Sequence, residues 1–241
     1  DGFDNSSTRP HYTASAEHFQ LTGDSLRVPL TYTAANGSTV TKEFVFTRGD
    51  YAVNVHHKVE NNTNSSLNMA LFGRLTQTMV SHDRSMFMPT YRGAAFSSEN
   101  ERYKKYSFKD IKKRNLEQNT SAGWVAMLEH YFVTAWIPDQ NAINYLRTST
   151  SAATNAARIS FVGPVIQIPA GSQHDFESQI YMGPKDQERL AELANHLDLT
   201  VDYGFLWWLA QPIHWLIAFL FGFVKNYGVA IILITIIIKG L

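Results

Sequence analysis

Two kinds of pattern divide this chain. From Leu26 to Thr33 and from Thr39 to Thr47, β-branched and aromatic residues roughly alternate with polar ones, and Ala35-Asn36-Gly37-Ser38 separates the two runs. An Asn-Gly pair between such runs predicts a tight hairpin, because both central residues of the turn must accept positive φ. Arg48-Gly49-Asp50 reads as a further turn. After it Tyr51, Val53, Val55, His57 and Val59 alternate with Ala52, Asn54, His56 and Lys58, the period of a half-buried strand. Beyond a polar turn at Asn61 to Ser66, the pattern recurs at Trp124 to Ile137, Ala157 to Val162, Val165 to Ile168 and Phe176 to Tyr181, punctuated by Gly163-Pro164 and Pro169-Ala170-Gly171. Many short strands with Gly, Pro and Asn turns predict a mainly β fold, a large antiparallel β-sandwich.

The period then changes. Pro184 is placed to be a first helical residue, Asp186 and Glu188 suit the positive end of a helix, and Leu190, Leu193, Ala194 and Leu197 share one face, so a helix is expected to lay its leucine stripe on the sandwich. In the stretch Glu99 to Arg114, Lys104, Lys105, Lys109, Lys112, Lys113 and Arg114 outnumber Glu99, Glu101 and Asp110. It reads as a solvated connection, with contact to a partner or to anionic lipid as the alternative.

From Phe205 onward apolar residues dominate, and three of the five tryptophans (Trp207, Trp208 and Trp215) fall here. The run Ile213 to Val224 is too short to cross about 30 Å of hydrocarbon at about 1.5 Å per helical residue. As a helix, Phe205 to Asn226 aligns Gln211, His214, Ala218, Gly222 and Lys225 in a narrow polar or small stripe, while the rest is Trp, Phe, Leu and Ile. That pattern predicts an amphipathic helix lying in a membrane interface, with Trp207, Trp208, Trp215 and Phe219 as anchors and Pro212 starting or kinking it. A helix buried in a soluble core and a spanning helix from Phe205 to Val224 are the two other readings. Val229 to Ile238 holds no polar side chain except Thr235, and it reads as the start of a transmembrane helix. Lys239 follows Tyr227 by twelve residues, about 18 Å along such a helix and near the middle of a bilayer. A lysine there costs about 2.5 to 3.5 kcal/mol on insertion scales, so it should face protein or a water-filled cavity, unless it snorkels to the far interface.

Composition narrows the chemistry. The 241 residues carry 21 basic and 21 acidic side chains and no cysteine. Zero formal charge removes the electrostatic footprint of a general nucleic-acid binder. The absence of cysteine excludes disulfides, thiolate catalysis and cysteine-based metal sites. Nine histidines are scattered without a metalloprotease, hydrolase-elbow or phosphate-loop motif. His56 and His57 point to opposite faces of a strand and cannot share a metal. A fold is left to assemble a three-dimensional cluster such as His82, Asp83 and His130. The sequence therefore nominates no catalytic residue, no metal site and no cofactor. Because it begins at Asp1 and stops at Leu241 within an apolar run, the chain reads as a fragment.

At this point the residues carry a resemblance. Ser121-Ala-Gly-Trp-Val-Ala-Met-Leu-Glu-His-Tyr-Phe-Val-Thr-Ala-Trp-Ile-Pro138, His196-Leu-Asp-Leu-Thr-Val-Asp-Tyr-Gly-Phe-Leu-Trp-Trp208 and Ile231-Ile-Leu-Ile-Thr-Ile-Ile-Ile-Lys-Gly-Leu241 resemble the YidC-type membrane protein insertases of Gram-negative bacteria, as do Arg48-Gly-Asp-Tyr-Ala-Val-Asn-Val55 and Tyr91-Arg-Gly-Ala-Ala-Phe96. The resemblance implies a periplasmic β-sandwich of the galactose-mutarotase-like kind over residues 1–183, whose beginning is missing before Asp1. A helix and linker packing on it are implied over 184–203, an interfacial helix over 204–226 and the start of a transmembrane helix over 227–241. It implies location at the bacterial inner membrane, with residues 1–203 in the periplasm. The implied partners are nascent membrane proteins, the Sec translocon with its accessory subunits, and the lipid bilayer. The family's positive groove residue is usually an arginine and maps onto Lys239. Lysine keeps the charge but lacks the planar bidentate fork. The competing expectation is a membrane-tethered carbohydrate-binding or aldose-epimerase-like domain, which rests on fold analogy alone.

Overall fold

A computed structural model of the chain describes residues 9–79, 91–201 and 207–240, with the side chains of all of these except 207–211 and 240. Strand β1 (Thr13–Ala14) pairs with β2 (Ser25–Thr33), which turns back into β3 (Thr39–Thr47). The hairpin is where the Asn-Gly pair places it, but the connection is five residues long and only Gly37, not Asn36, takes positive φ. Gly37 sits at φ +89°, its N–H and that of Ala34 bond across the turn, and the Asn36 side chain accepts from the Ser38 N–H at 3.0 Å. A second turn at Gly49, φ +75°, leads into β4 (Ala52–Glu60).

The chain continues through β5 (Leu67–Met69), β6 (Phe72–Thr78), β7 (Gly93–Ser97), β8 (Lys104–Tyr106), helix α1 (Phe108–Lys113) and β9 (Glu117–Ser121). Then come β10 (Trp124–Leu128), β11 (Phe132–Pro138), β12 (Ile143–Ser151), β13 (Ala156–Val162), β14 (Ile166–Ile168) and the long β15 (Gln173–Pro184). The described strands form a nine-stranded sheet in the order β1-β2-β3-β4-β15-β11-β10-β7-β8, a four-stranded sheet β6-β13-β12-β9 and the pair β14-β5. Every ladder is antiparallel. One core joins the two larger sheets, with Val53, Val55, Phe96, Val125 and Met127 from the first meeting Leu75, Leu146, Ile159 and Phe161 from the second. The alternation read in the sequence is therefore the alternation of a sandwich, with inward side chains apolar and outward ones polar.

The inward face of β4 also carries a titratable group. His57 stands opposite Lys42 and Phe176 in the register. Burial, helped by the charges of Lys42 and His56, pushes its pKa down to about 4.

Two expectations change. The Glu99 to Arg114 stretch is more than a connection, since it contains β8 and α1. Ser107 caps that helix by accepting from the Asp110 N–H, and the Asp110 carboxylate accepts from the Ser107 N–H. Ile111 is buried and Tyr106 and Phe108 pack on the core, while Lys109, Lys112, Lys113 and Arg114 stay exposed. The helix expected at Pro184 begins later, as α2 (Gln187–Leu193), with Asp186 as its N-cap. Pro184 is the last residue of β15, because the ladder to β11 runs as far as Phe132 and the Tyr181 hydroxyl donates to the Pro184 carbonyl at 2.6 Å.

The expected stripe is not one helical face, since α2 ends at Leu193, which is half-buried, Ala194 is extended and Leu197 lies in a separate 3₁₀ turn. Leu190, Ala194 and Leu197 are buried, and the buried Trp124 donates its indole N–H to the Asn195 carbonyl at 3.1 Å. Arg48-Gly49-Asp50 is part of the same anchorage. The Asp50 carboxylate accepts from Arg189 of α2 at 3.2 and 2.5 Å, while the Arg48 guanidinium donates to the carbonyls of Leu21 and Gly23. Burial works against the charged form of Asp50, yet Arg189 and the N–H groups of Ala52 and Tyr51 together outweigh it and hold its pKa below the ordinary value.

The chain divides into two compact units, one ending at Thr200 and one beginning at Val201. In the second, helix α3 (Trp207–Val224) is followed by helix α4 (Tyr227–Gly240).

Candidate functional site

The α3–α4 pair is built around a tight corner. Lys225 adopts φ +52° and its N–H donates to the Phe221 carbonyl at 2.8 Å, ending α3. The Asn226 side chain then accepts from the N–H groups of Gly228 and Val229 at 2.9 and 3.3 Å, starting α4, as an N-cap asparagine does. Phe221 and Tyr227 stack across the corner with centroids 4.0 Å apart. Ala230 and Ile234 of α4, one turn apart, are buried.

Away from that seam the pair exposes aromatic and aliphatic surface. Trp215, Phe219 and Phe223, at spacing four, stand 66%, 50% and 73% exposed and form a continuous row, with centroids 5.6 and 5.0 Å apart. His214, Ala218, Gly222 and Lys225 of the expected stripe are exposed beside it. Trp207 and Trp208 lie in the first turn of α3, and their side chains, like that of Gln211, fall outside the described residues. Pro212 lies within α3 and does not start it; the helix already runs from Trp207, and a proline donates no N–H to the carbonyl four residues before it.

On α4 the exposed aliphatic side chains are Val229, Ile231, Ile232, Ile236, Ile237 and Ile238. Thr235 folds its hydroxyl back onto the Ile231 carbonyl at 2.7 Å, so its polar group is satisfied within the helix and suits apolar surroundings. Lys239 is exposed in the last turn of α4. Among the described residues no helix is long and apolar enough to cross a membrane.

The sandwich carries a second feature. Strand β15 pairs with β4 from Gln173 to Tyr181, but with β11 only from Ser178 to Pro184. Beside its one-sided stretch lies a cleft of about 680 Å³. Asp175, Phe176 and Glu177 form one wall, Asp139 and Asn141 the other, and Phe161 and Ile166 contribute apolar surface. At its edge His56 and Glu177, paired across β4 and β15, bring Nδ1 and Oε1 to 3.4 Å. The sequence alone does not nominate this pair, because the partners are joined only by the ladder. Both side chains are open to solvent and engage each other, whereas epimerase chemistry needs an acid and a base on either side of a sugar.

The other sequence candidates do not assemble with these. His130 is exposed in the β10–β11 hairpin with its ring against Tyr131, and His82 and Asp83 lie outside the described residues. Among the described residues no group of three or more His, Asp or Glu is placed to hold a metal ion.

Solved structures share the architecture. The alpha-galactosidase from Lactobacillus brevis aligns over 76% of this chain and 28% of its own, with a TM-score of 0.52 at 10% identity. A galactose mutarotase-like protein from Lactobacillus casei ATCC 334 aligns over 71% of this chain and 73% of its own, with a TM-score of 0.47 at 9% identity. The first likeness defines the class of fold, an antiparallel sandwich, and at this identity it speaks for the fold alone.

Sequence relationship is more specific. The family described as the YidC periplasmic domain matches residues 1–216, and the chain belongs to that family. The membrane protein insertase YidC of Shewanella piezotolerans (strain WP3 / JCM 13877) is 49% identical over 243 residues, covering 100% of this chain and 45% of the relative. The chain thus spans a little under half the length of that curated relative.

Proposed function

We propose that this chain serves a membrane protein insertase of the inner membrane, its sandwich facing the periplasm and its α3–α4 pair setting the working part of the protein in the bilayer. The observation that carries the reading is the exposed row Trp215, Phe219 and Phe223 next to the isoleucine surface of α4. Indole and phenyl rings favour the headgroup level and an isoleucine surface favours hydrocarbon. In this reading α3, with Trp207, Trp208, Trp215 and Phe219 as anchors, lies in the interface, and α4 begins a transmembrane helix that carries Lys239 toward the middle of the bilayer.

A fixed positive charge at that depth attracts acidic groups of a client's polar tail and keeps water nearby, which shortens the hydrocarbon path that tail must cross. The clients are newly made membrane proteins, received alone or from the Sec translocon, and the sandwich acts as a docking or accessory module. The test is depletion and complementation with the intact protein, following insertion of a small membrane protein by protease protection. Lys239→Glu is expected to abolish insertion, Lys239→Ala to impair it and Lys239→Arg to preserve it. Normal insertion by all three stably expressed variants contradicts the role given to the charge.

A further inference from the structure

Along Gln173–Glu177, strand β15 has a partner on one side only. The ladder parity shows which main-chain groups are left over. Met182 donates its N–H to Tyr51, and Ser172 accepts from Asn61, so even-numbered residues of β15 turn their N–H and C=O toward β4. Lys185 donates toward Tyr131, so odd-numbered residues turn theirs toward β11. Below Ser178, where β11 has ended, the groups of Asp175 and Glu177 therefore point into the cleft.

The chain does not return to cover them. Pro138, the last residue of β11, stands opposite Ser178 at a non-hydrogen-bonded position, and the ladder ends with that pair. The loop after it satisfies its own carbonyls, with the Gln140 amide donating to Pro138 and Gly123 and the Asn144 amide to Asp139 and Ala142. An unpaired edge is usually blunted by lysine or by a covering segment. This one faces a preformed cleft instead.

The side chains around it specify an occupant. Asp175 and Glu177 stand exposed on the outer face, Asp139 is exposed across the cleft, and no lysine or arginine lines it. Lys58, cross-strand from Asp175, is held by Glu60 at 2.8 Å, His56 Nδ1 lies 3.4 Å from Glu177, and one Asp139 oxygen accepts from the Asn141 N–H at 2.9 Å. Toward the inner side the lining is Leu71, Phe161 and Ile166. We propose that the cleft takes an extended polypeptide segment that adds as a strand beside β15, with apolar side chains turned inward and lysine or arginine turned toward the three carboxylates. Main-chain hydrogen bonds to Asp175 and Glu177 supply the pairing, and the alternation of the incoming side chains supplies the selection. The proposal stands whether or not the insertase reading does.

The experiment uses the full 241-residue chain in detergent micelles and a capped peptide of alternating lysine and valine. Its readouts are fluorescence anisotropy and hydrogen exchange at the Asp175 and Glu177 amides. The peptide is expected to bind and to slow exchange at both amides. N-methylation of its pairing edge, which removes donors without touching a side chain, should weaken binding about tenfold or more. Asp139→Asn, Asp175→Asn and Glu177→Gln together should weaken it by about the same factor at low salt and flatten its salt dependence, with an unchanged circular dichroism spectrum. No binding, binding indifferent to N-methylation, or binding indifferent to the carboxylates each overturns the proposal. So does perturbation of these two amides by D-galactose and not by the peptide, which makes the cleft a sugar site.

Discussion

Replacing His57 with leucine should remove most of the stability that the sandwich loses between about pH 7 and about pH 5. The imidazole is half-buried on the inner face of β4, opposite Lys42 and Phe176 and next to His56, and its Nδ1 has no hydrogen-bond partner among the described residues. Its pKa is therefore about 4 in the folded chain, against 6.5 for the free side chain. Because the folded value is the lower one, the unfolded chain takes up the proton first. The penalty is absent well above pH 6.5, grows as the pH falls and is complete below about 4. At pH 5 an imidazole of pKa 6.5 is protonated about thirty times more often than not, while the folded one is still mostly neutral. The unfolded state gains about 2 kcal/mol from this, compared with a few tenths at pH 7. Carboxylates of ordinary pKa contribute little in that window, which isolates the effect. Urea unfolding of the full chain, followed by tryptophan fluorescence at both pH values, measures it. Wild type should lose about 2 kcal/mol more than His57→Leu on going to pH 5. Equal losses refute the reasoning.

Two further outcomes follow from the packing. Arg189→Met leaves Asp50, whose side chain is only 19% exposed, without its bidentate partner, and should lower stability by about 1 to 3 kcal/mol. Hydrogen exchange should quicken selectively in α2, whereas uniform protection matching wild type argues against the clamp. Gly73→Ala places a methyl group into the ring of Phe161, its cross-strand partner in β13 and itself 1% exposed. Overpacking of that kind should cost about 1 to 3 kcal/mol in urea unfolding, and an unchanged midpoint contradicts the fit.

Local pattern carried most of the sandwich. The Asn36-Gly37 hairpin, the alternation in β4, the burial of Leu190, Ala194 and Leu197, and the change of material after Phe205 each depend on residues close in sequence, where period and turn chemistry act. What local pattern misjudged depended on distant partners. Pro184 looks like a helix start until β11 is seen pairing with it, and the lysines of Glu99 to Arg114 mask the Ser107 and Asp110 cap and the inward Ile111. The cleft was invisible for the same reason. Nothing near Gln173–Glu177 says that β11 stops at Pro138, and His56 meets Glu177 only because β4 and β15 are neighbours across more than a hundred residues. At the tail the sequence named Trp215 and Phe219, and the structure added Phe223 to the row; the α3–α4 corner at Lys225 and Asn226 carries no period to read.

The insertase reading rests on depth in the bilayer, and the chain lends itself to measuring it because it contains no cysteine. Single cysteines at Phe219, Ile232 and Ile236, all exposed on the helical pair, can each carry a nitroxide label in the intact protein in liposomes, with depth read from the relative accessibility to oxygen and to a water-soluble nickel complex. The Phe219 label should lie about 5 to 10 Å below the headgroup boundary. The Ile232 label should lie deeper, and the Ile236 label deeper again by up to about 6 Å, four residues further along a descending helix. Labels that all report water, or that all sit at one depth, contradict an α4 that enters the hydrocarbon and the place given to Lys239.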